Sequence, residues 1–418
     1  MKFISTARVG PGWLNRRSLA WASYDIASSV YVGVAPVLLF PLYFTERLHG
    51  FANPTSAWGA VVAAAVVFSS LAALGSAVWS RRVHRFSLLC LFTAGLVVAL
   101  AVLALLPGLP LAVAVLSFVV AQSFYFAAVT VYESFLPDLL PPGSVQKLSG
   151  FGWSLGYLGG LLGIVILLAF VADRAASAEV LAFSIGLLAL ISTVLSMIAL
   201  WVMWRVGFAR LQIPSASALA KISGPLAILR NWRRHRVLFL LLAGMLLISC
   251  GISVIVTFTA PILANRFGQG LADLLWLLLM LHLLAVPSTV FWSFLLTNWS
   301  RSITLSILLG SWCVVPLLLS FGSGPWVPSV TVAVIGCCLG ATMSAFRGFV
   351  AEIVPDGAGP AYFALATVVS RAAAAMGPAI FAVVSAWGSE QIALLAMLAL
   401  MTVGSALLIR HQHHPRPI

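Results

Sequence analysis

Acidic residues are nearly missing from this sequence, with ten Asp and Glu in 418 positions against 23 Lys and Arg. Charged residues of both signs make up only 8% of the chain, too few to cover a water-soluble body of this size. Cysteine is scarce as well. Cys90, Cys250, Cys313, Cys337 and Cys338 all fall in apolar runs with no C-x-x-C pair, which points away from a disulfide framework and from a thiolate metal site. No G-x-x-x-x-G-K-[ST] run occurs, and no soluble stretch is long enough for an ATPase domain, so energy for uphill work has to come from gradients. No Ser/His/Asp set or metal-ligand spacing is present, so neither catalysis nor a metal or cofactor is expected.

What is present is apolar. Hydrophobic residues make up 62% of the chain and mean hydropathy is +1.09, which makes lipid the expected solvent. A helix needs about 20 residues to cross roughly 30 Å of hydrocarbon. Twelve such spans are predicted, at 18–45, 56–79, 86–106, 110–134, 149–172, 178–204, 236–264, 271–297, 302–322, 327–352, 361–385 and 389–409. Arg16-Arg17 precedes a first stretch long enough to cross, which predicts a retained helix and not a cleaved leader.

Eighteen of the 23 basic residues fall on one side of such a chain: in the N-tail, at Arg81, Arg82, Arg85 and Lys147, from Arg205 to Arg236, and at Arg301, Arg410 and Arg416. Only Arg47, Arg174 and Arg266 fall on the other. An excess of Lys and Arg marks the cytoplasmic face. Both termini and the middle loop are therefore expected there, and the net charge of +13 is not a nucleic-acid footprint. The predicted organisation is an all-α, multi-pass membrane protein: a tail (1–17), a six-helix bundle (18–204), a basic linker (205–235), a second six-helix bundle (236–409) and a tail (410–418). The halves are parallel repeats, since each begins and ends on the same side. The linker carries Leu219, Ile222, Leu226, Leu229 and Trp232, an interfacial helix or a solvated stretch on anionic lipid, with Gly224-Pro225 as an interruption.

Two echoes support duplication. E-S-F-L-P-D-L-L-P-P-G from Glu133 to Gly143 returns 214 positions later as R-G-F-V-A-E-I-V-P-D-G from Arg347 to Gly357. Phe135, Asp138, Pro141 and Gly143 match Phe349, Glu352, Pro355 and Gly357, while Glu133 becomes Arg347. Trp79-Ser80-Arg81 and Trp299-Ser300-Arg301 form a shorter echo, which pairs Arg81 with Arg301. In the fifth span Gly152, Gly156 and Gly160, with Gly159 and Gly163, give a small-residue face for close helix approach or for sliding against the other half. Ala372 to Ala375 with Gly377-Pro378 supply a comparable surface.

A charge in mid-bilayer costs about 2.5–3.5 kcal/mol, so ionisable groups inside spans are paired or functional. Trp21, Tyr24, Asp25, Ser28 and Tyr31 share one helical face, and Gln122, Tyr125, Val129, Tyr132 and Glu133 form a second stripe. Asp25 and Glu133 are the proton-coupling candidates. Tyr24, Ser28, Tyr125, His282 and Arg371 are the expected solute contacts. Glu133, Asp138, Arg347, Glu352, Arg81 and Arg301 lie near span ends on the basic side and are expected to gate.

Twelve spans with a basic middle loop resemble the major facilitator superfamily. Within it, Trp21-Ala-Ser-Tyr24-Asp25 leading to Phe40-Pro41-Leu42-Tyr43-Phe44, then Phe135-Leu-Pro137-Asp138-Leu-Leu-Pro141 followed by Ser149-Gly150-Phe-Gly152-Trp153, and Arg347, Pro355, Ser370, Arg371 and Gly377-Pro378, resemble the vacuolar amino-acid effluxers of fungi and their bacterial relatives. Two departures stand out: Trp79 occupies the place of the superfamily's loop Asp, and Met343 and Phe346 replace usual polar residues. The resemblance implies a monomeric, proton-coupled exporter of an amino acid or related metabolite in a bacterial inner membrane. Its partners would be a small solute and the lipid bilayer, without nucleic acid. The aromatic stripes leave export of amphipathic or drug-like compounds open, and Trp79 leaves a non-transporting scaffold or assembly factor open.

Overall fold

The computed structural model describes residues 12–40, 43–44, 54–103, 105, 110–171, 178–211, 224–269 and 271–412. Among these residues every regular element is helical, and eleven helical segments, one of them broken in its middle, are long and apolar enough to cross a membrane. Large apolar side chains such as Phe68, Leu71, Leu190 and Phe291 lie exposed, as a bilayer requires and water forbids.

The first span is α1 (Arg16–Val32) followed by a π-helical turn, Ala35–Leu39. Pro36 lacks the N–H that would continue the α-ladder, so the helix widens there. Residues 41, 42 and 45 of that expected span, most of the N-tail, linker residues 212–223 and the tail beyond 412 lie outside the described residues. The chain continues through α2 (Pro54–Trp79), α3 (Arg85–Leu103), α4 (Leu111–Glu133), the short α5 (Leu136–Leu139), α6 (Pro142–Val171), α7 (Ala178–Arg205) and α8 (Pro225–Arg230). It then forms α9 (Arg236–Phe267), α10 (Leu271–Asn298), α11 (Arg301–Ser311), α12 (Val314–Phe321), α13 (Val327–Ile353), α14 (Gly359–Trp387) and α15 (Glu390–Gln412).

Three departures from expectation have local causes. Helix α6 starts at Pro142, ahead of the expected 149, because proline at the first helical position gives up a bond that has no partner anyway. Pro225, expected to interrupt, opens α8 for the same reason. The ninth span divides into α11 and α12, since Pro316 cannot donate to the Trp312 carbonyl one turn back. The Trp312 indole donates to Thr342 Oγ1 at 2.9 Å and pins the break.

Packing sorts the helices into two compact units. Unit 1 comprises Met1–Pro141, Leu155–Pro225 and Val354–Ala364; unit 2 comprises Pro142–Ser154, Leu226–Ile353 and Leu365–Ile418. In unit 1, α1 packs on α7, and α2 and α3 pack on α4. In unit 2, α9 packs on α15 and α10 on α13.

Close approach explains the glycine face of α6. A Cβ at Gly159 would lie 3.0 Å from the carbonyl carbon of Ile26 and nearer still to its oxygen, and one at Gly163 would lie 2.8 Å from the Val30 oxygen. The face is therefore packed against α1 of its own unit. In unit 2, Gly377 of α14 meets α9 in the same way, with a Cβ there 3.1 Å from the Cys250 carbonyl carbon. An aromatic cluster closes unit 1 at the far end of α1, with Phe40 on Phe118 (4.7 Å between centroids), Phe44 on Trp58 (5.1 Å) and Trp58 on Phe118 (5.4 Å).

Arg266, in the last turn of α9, donates to the carbonyls of Leu319 and Ser320, the latter at 3.0 Å. It thereby satisfies the open C-terminal end of α12, which Gln391 also supports through Ser320 at 3.2 Å. Arg266→Ala is expected to cost about 1–3 kcal/mol, the penalty for orphaned acceptors. Thermal unfolding in detergent checks this, and an unchanged midpoint would remove Arg266 from the account.

Candidate functional site

The polar-aromatic face of α1 turns into unit 1. Trp21 stacks on Tyr132 (4.6 Å, 8°) and its indole donates to the Tyr132 carbonyl at 3.0 Å. Tyr24 tilts against the same ring at 5.0 Å and its hydroxyl bonds Thr93 Oγ1 of α3 at 2.7 Å. One turn of helix thus ties α1 to α3 and α4. Tyr24 and Ser28 are buried, whereas Asp25 is half-buried. Behind it, the α6 glycine face meets Ser29 and the Asp25 carbonyl, which fixes the backbone that carries the carboxylate. Tyr125 is half-buried on α4, its ring edge-on to Phe126 at 5.0 Å, and half-buried Glu133 ends that helix.

The span-end charges form a second constellation in unit 1. Asp138 of α5 pairs with Arg85, the first residue of α3. The Arg85 guanidinium also donates to the Ser134 carbonyl at 2.8 Å and lies 4.8 Å from the centre of the Phe135 ring. Arg81, which the Trp-Ser-Arg echo aligns with Arg301, is exposed beside Gly224. Trp79 lies flat against Phe92 at 6.1 Å.

Unit 2 holds the matching arrangement. Arg301, the first residue of α11, grips Glu352 with both nitrogens, at 2.7 and 3.0 Å, and lies 5.6 Å from the centre of the Phe349 ring. Such bidentate pairs are charge-assisted and directional. Arg347 takes a different partner from Glu352: its Nε donates to Ser149 Oγ at 3.0 Å and its Nη2 to the Ser149 carbonyl at 2.6 Å, with the Trp153 ring 5.7 Å away. Ser149 in turn donates to Ser344 at 2.7 Å, and Ser154 to Val286 at 2.8 Å. The start of α6 is thus held by α10 and α13.

His282 is buried on α10, and its Nδ1 donates to the Leu278 carbonyl at 3.0 Å, which fixes the ring against its own helix. Arg371 is half-buried on α14. Buried Phe346 precedes Arg347 on α13. Sequence reasoning missed Arg85, Thr93 and Ser149 as partners. Arg85 was findable, because it precedes Arg301 by nearly the offset that relates Phe135 to Phe349. Ser149 stood in the motif that carries the resemblance, but without a sign of its partners, and Thr93 carries no signal in sequence that separates it from other span hydroxyls.

Among known proteins, the vacuole effluxer Atg22-like family profile matches residues 59–414. The uncharacterized MFS-type transporter YxiO of Bacillus subtilis (strain 168) is 21% identical over 411 residues, 93% of each chain. The multidrug efflux pump Tap of Mycolicibacterium fortuitum is 33% identical over 142 residues, 34% of this chain and 32% of that one. The human organic anion transporter MFSD10 (TETRAN) superposes with a TM-score of 0.74 at 15% identity, over 96% of this chain and all of that one. A major-facilitator fold that carries a profile match over most of its length has one family reading: the chain belongs to the vacuole effluxer Atg22-like family.

Proposed function

We propose that the protein is a monomeric secondary transporter that moves an amino acid or related metabolite outward across a bacterial cytoplasmic membrane, by alternating access coupled to protons. The family match over residues 59–414 carries this reading. In it, Asp25 and Glu133 take up and release the coupling proton, while Ser28, Tyr125, His282 and Arg371 contact the solute. Tyr24 supports that set from behind through Thr93. Arg85, Asp138, Arg301 and Glu352, with Arg347, belong to the gate at the basic side.

The chain is read as twelve spans in two parallel repeats with both termini in the cytoplasm. Arg85–Asp138 over Phe135 and Arg301–Glu352 over Phe349 support the duplication, because two residues of each set coincide with the 214-residue echo. Similarity to Tap over 142 residues favours a second reading, export of amphipathic compounds, as does the apolar stretch at Met343 and Phe346.

Proteoliposomes loaded with an amino-acid panel or a hydrophobic-cation panel separate the two solute classes. For the class that moves, Asp25→Asn is expected to lower gradient-driven flux at least tenfold between pH 5.5 and 8 while solute exchange without a gradient persists. Equal gradient-driven flux in wild type and variant at every pH would sink the assignment.

A further inference from the structure

Unit 1 carries a groove of about 370 Å³ between α1 and α7 that none of the proposed transport residues enters. Its walls include Leu19 and Ile26 from α1 and Leu195, Ile198 and Val202 from α7. The lining is apolar apart from Arg16 and Ser23, and the Ser23 hydroxyl is already given to its own helix, to the Ala20 carbonyl at 2.8 Å. From Arg16 to Ala27 the groove follows eleven helical steps, about 16 Å at 1.5 Å per residue. That is close to half of the roughly 30 Å hydrocarbon core, the depth of one leaflet.

One end of the groove is strongly cationic. Arg16 forms its lip, and Arg17 donates through Nε to the carbonyl of the lining residue Val206 at 3.2 Å. The Arg205 guanidinium lies 4.9 Å from the centre of the Trp201 ring, beside exposed Trp204. Tryptophans in this position mark the headgroup level of a bilayer. No carboxylate lines the groove, and the sequence contains no acidic residue between Glu179 and Asp273 to offset the arginines of α7 and its following turn. An apolar slot with Arg16 at its lip, and Arg17 and Arg205 on the adjoining turns, matches an amphiphilic anion.

We propose that this groove is a binding site for one anionic phospholipid, with an acyl chain between α1 and α7 and the phosphate on Arg16 and Arg205. The bidentate geometry of guanidinium favours phosphate over a zwitterionic headgroup whose own cation competes for it. The headgroup therefore selects the lipid, and the groove sets the depth at which its tail lies.

The test uses the full-length protein purified in a mild detergent, with phosphatidylglycerol, phosphatidylcholine of the same chains, and glycerol phosphate as probes. Native mass spectrometry is expected to show phosphatidylglycerol retained at least tenfold over phosphatidylcholine, and no retention of glycerol phosphate. Ser23→Phe, which fills the groove, and Arg16→Gln with Arg205→Gln, which changes only the exposed end, are each expected to cut phosphatidylglycerol retention at least tenfold. Arg233→Gln with Arg234→Gln, removing the same charge elsewhere, is expected to leave it unchanged. Equal retention of the two phospholipids, or full retention by the Arg16/Arg205 variant, overturns the proposal. Binding of glycerol phosphate as tightly as phosphatidylglycerol overturns the role of the tail.

Discussion

Gly159→Ala is expected to destabilise the protein by about 3 kcal/mol or more, although it adds a single methyl group. The new carbon would be driven into the backbone of Ile26, whose carbonyl carbon lies 3.0 Å from the Cβ position. Backbone of a packed helix cannot swing aside as a side chain does, so α1 and α6 must separate. In lipid that separation is costly, because helix association rests on close packing and not on exclusion of water. Gly75→Ala is the control, since nothing lies within 4 Å of a Cβ there. It is expected to shift stability by no more than about 0.5 kcal/mol. Fluorescence-detected size-exclusion after graded heating reads both variants. Similar midpoints would show that the glycine face has slack. The loss should extend to transport even in molecules that remain folded, since α6 backs the turn of α1 that carries Asp25.

Arg301→Ala is expected to cost about 3–5 kcal/mol, while Arg85→Ala costs about 1 kcal/mol. The two arginines make the same kind of pair, but their carboxylates differ in exposure. Glu352 retains only 5% of its side-chain surface, against 36% for Asp138. Loss of Arg301 leaves a carboxylate that water barely reaches, whereas Asp138 can turn to solvent. The exchange Arg301→Glu with Glu352→Arg should recover much of the stability, and Glu352→Gln should be milder than Arg301→Ala because an amide still accepts from the guanidinium. Chemical unfolding of the four variants in micelles gives the comparison. An Arg301→Ala protein that unfolds no earlier than Arg85→Ala would mean that Glu352 is hydrated despite its burial.

The spans were legible because lipid demands long apolar runs, and runs such as 110–134 and 327–352 coincide with α4 and α13 within a residue. The break at Trp312 and Cys313 was not, since Pro316 lies in a stretch whose composition is uniformly apolar and hydropathy is blind to a missing N–H. The span-end charges were legible by type but not by partner. The Trp-Ser-Arg echo aligned Arg81 with Arg301, yet four additional residues follow Ser80 in the first half before its helix begins at Arg85. Helix starts, not loop triplets, keep the spatial register. The polar-aromatic face of α1 is partly internal. Trp21 and Tyr24 spend their polar atoms on Tyr132 and Thr93, and hydroxyl partners on other helices are not recoverable from one helix's periodicity.

The membership of unit 1 bears on how the protein is made. Ribosomal synthesis runs from the N-terminus, yet this unit includes Val354–Ala364, where a Cβ at Gly359 would come within 2.9 Å of the Ser134 carbonyl. Its packing is therefore incomplete until most of the later chain has been translated. A nascent chain arrested after α7 lacks that segment, so the unit it has formed is not yet the finished one.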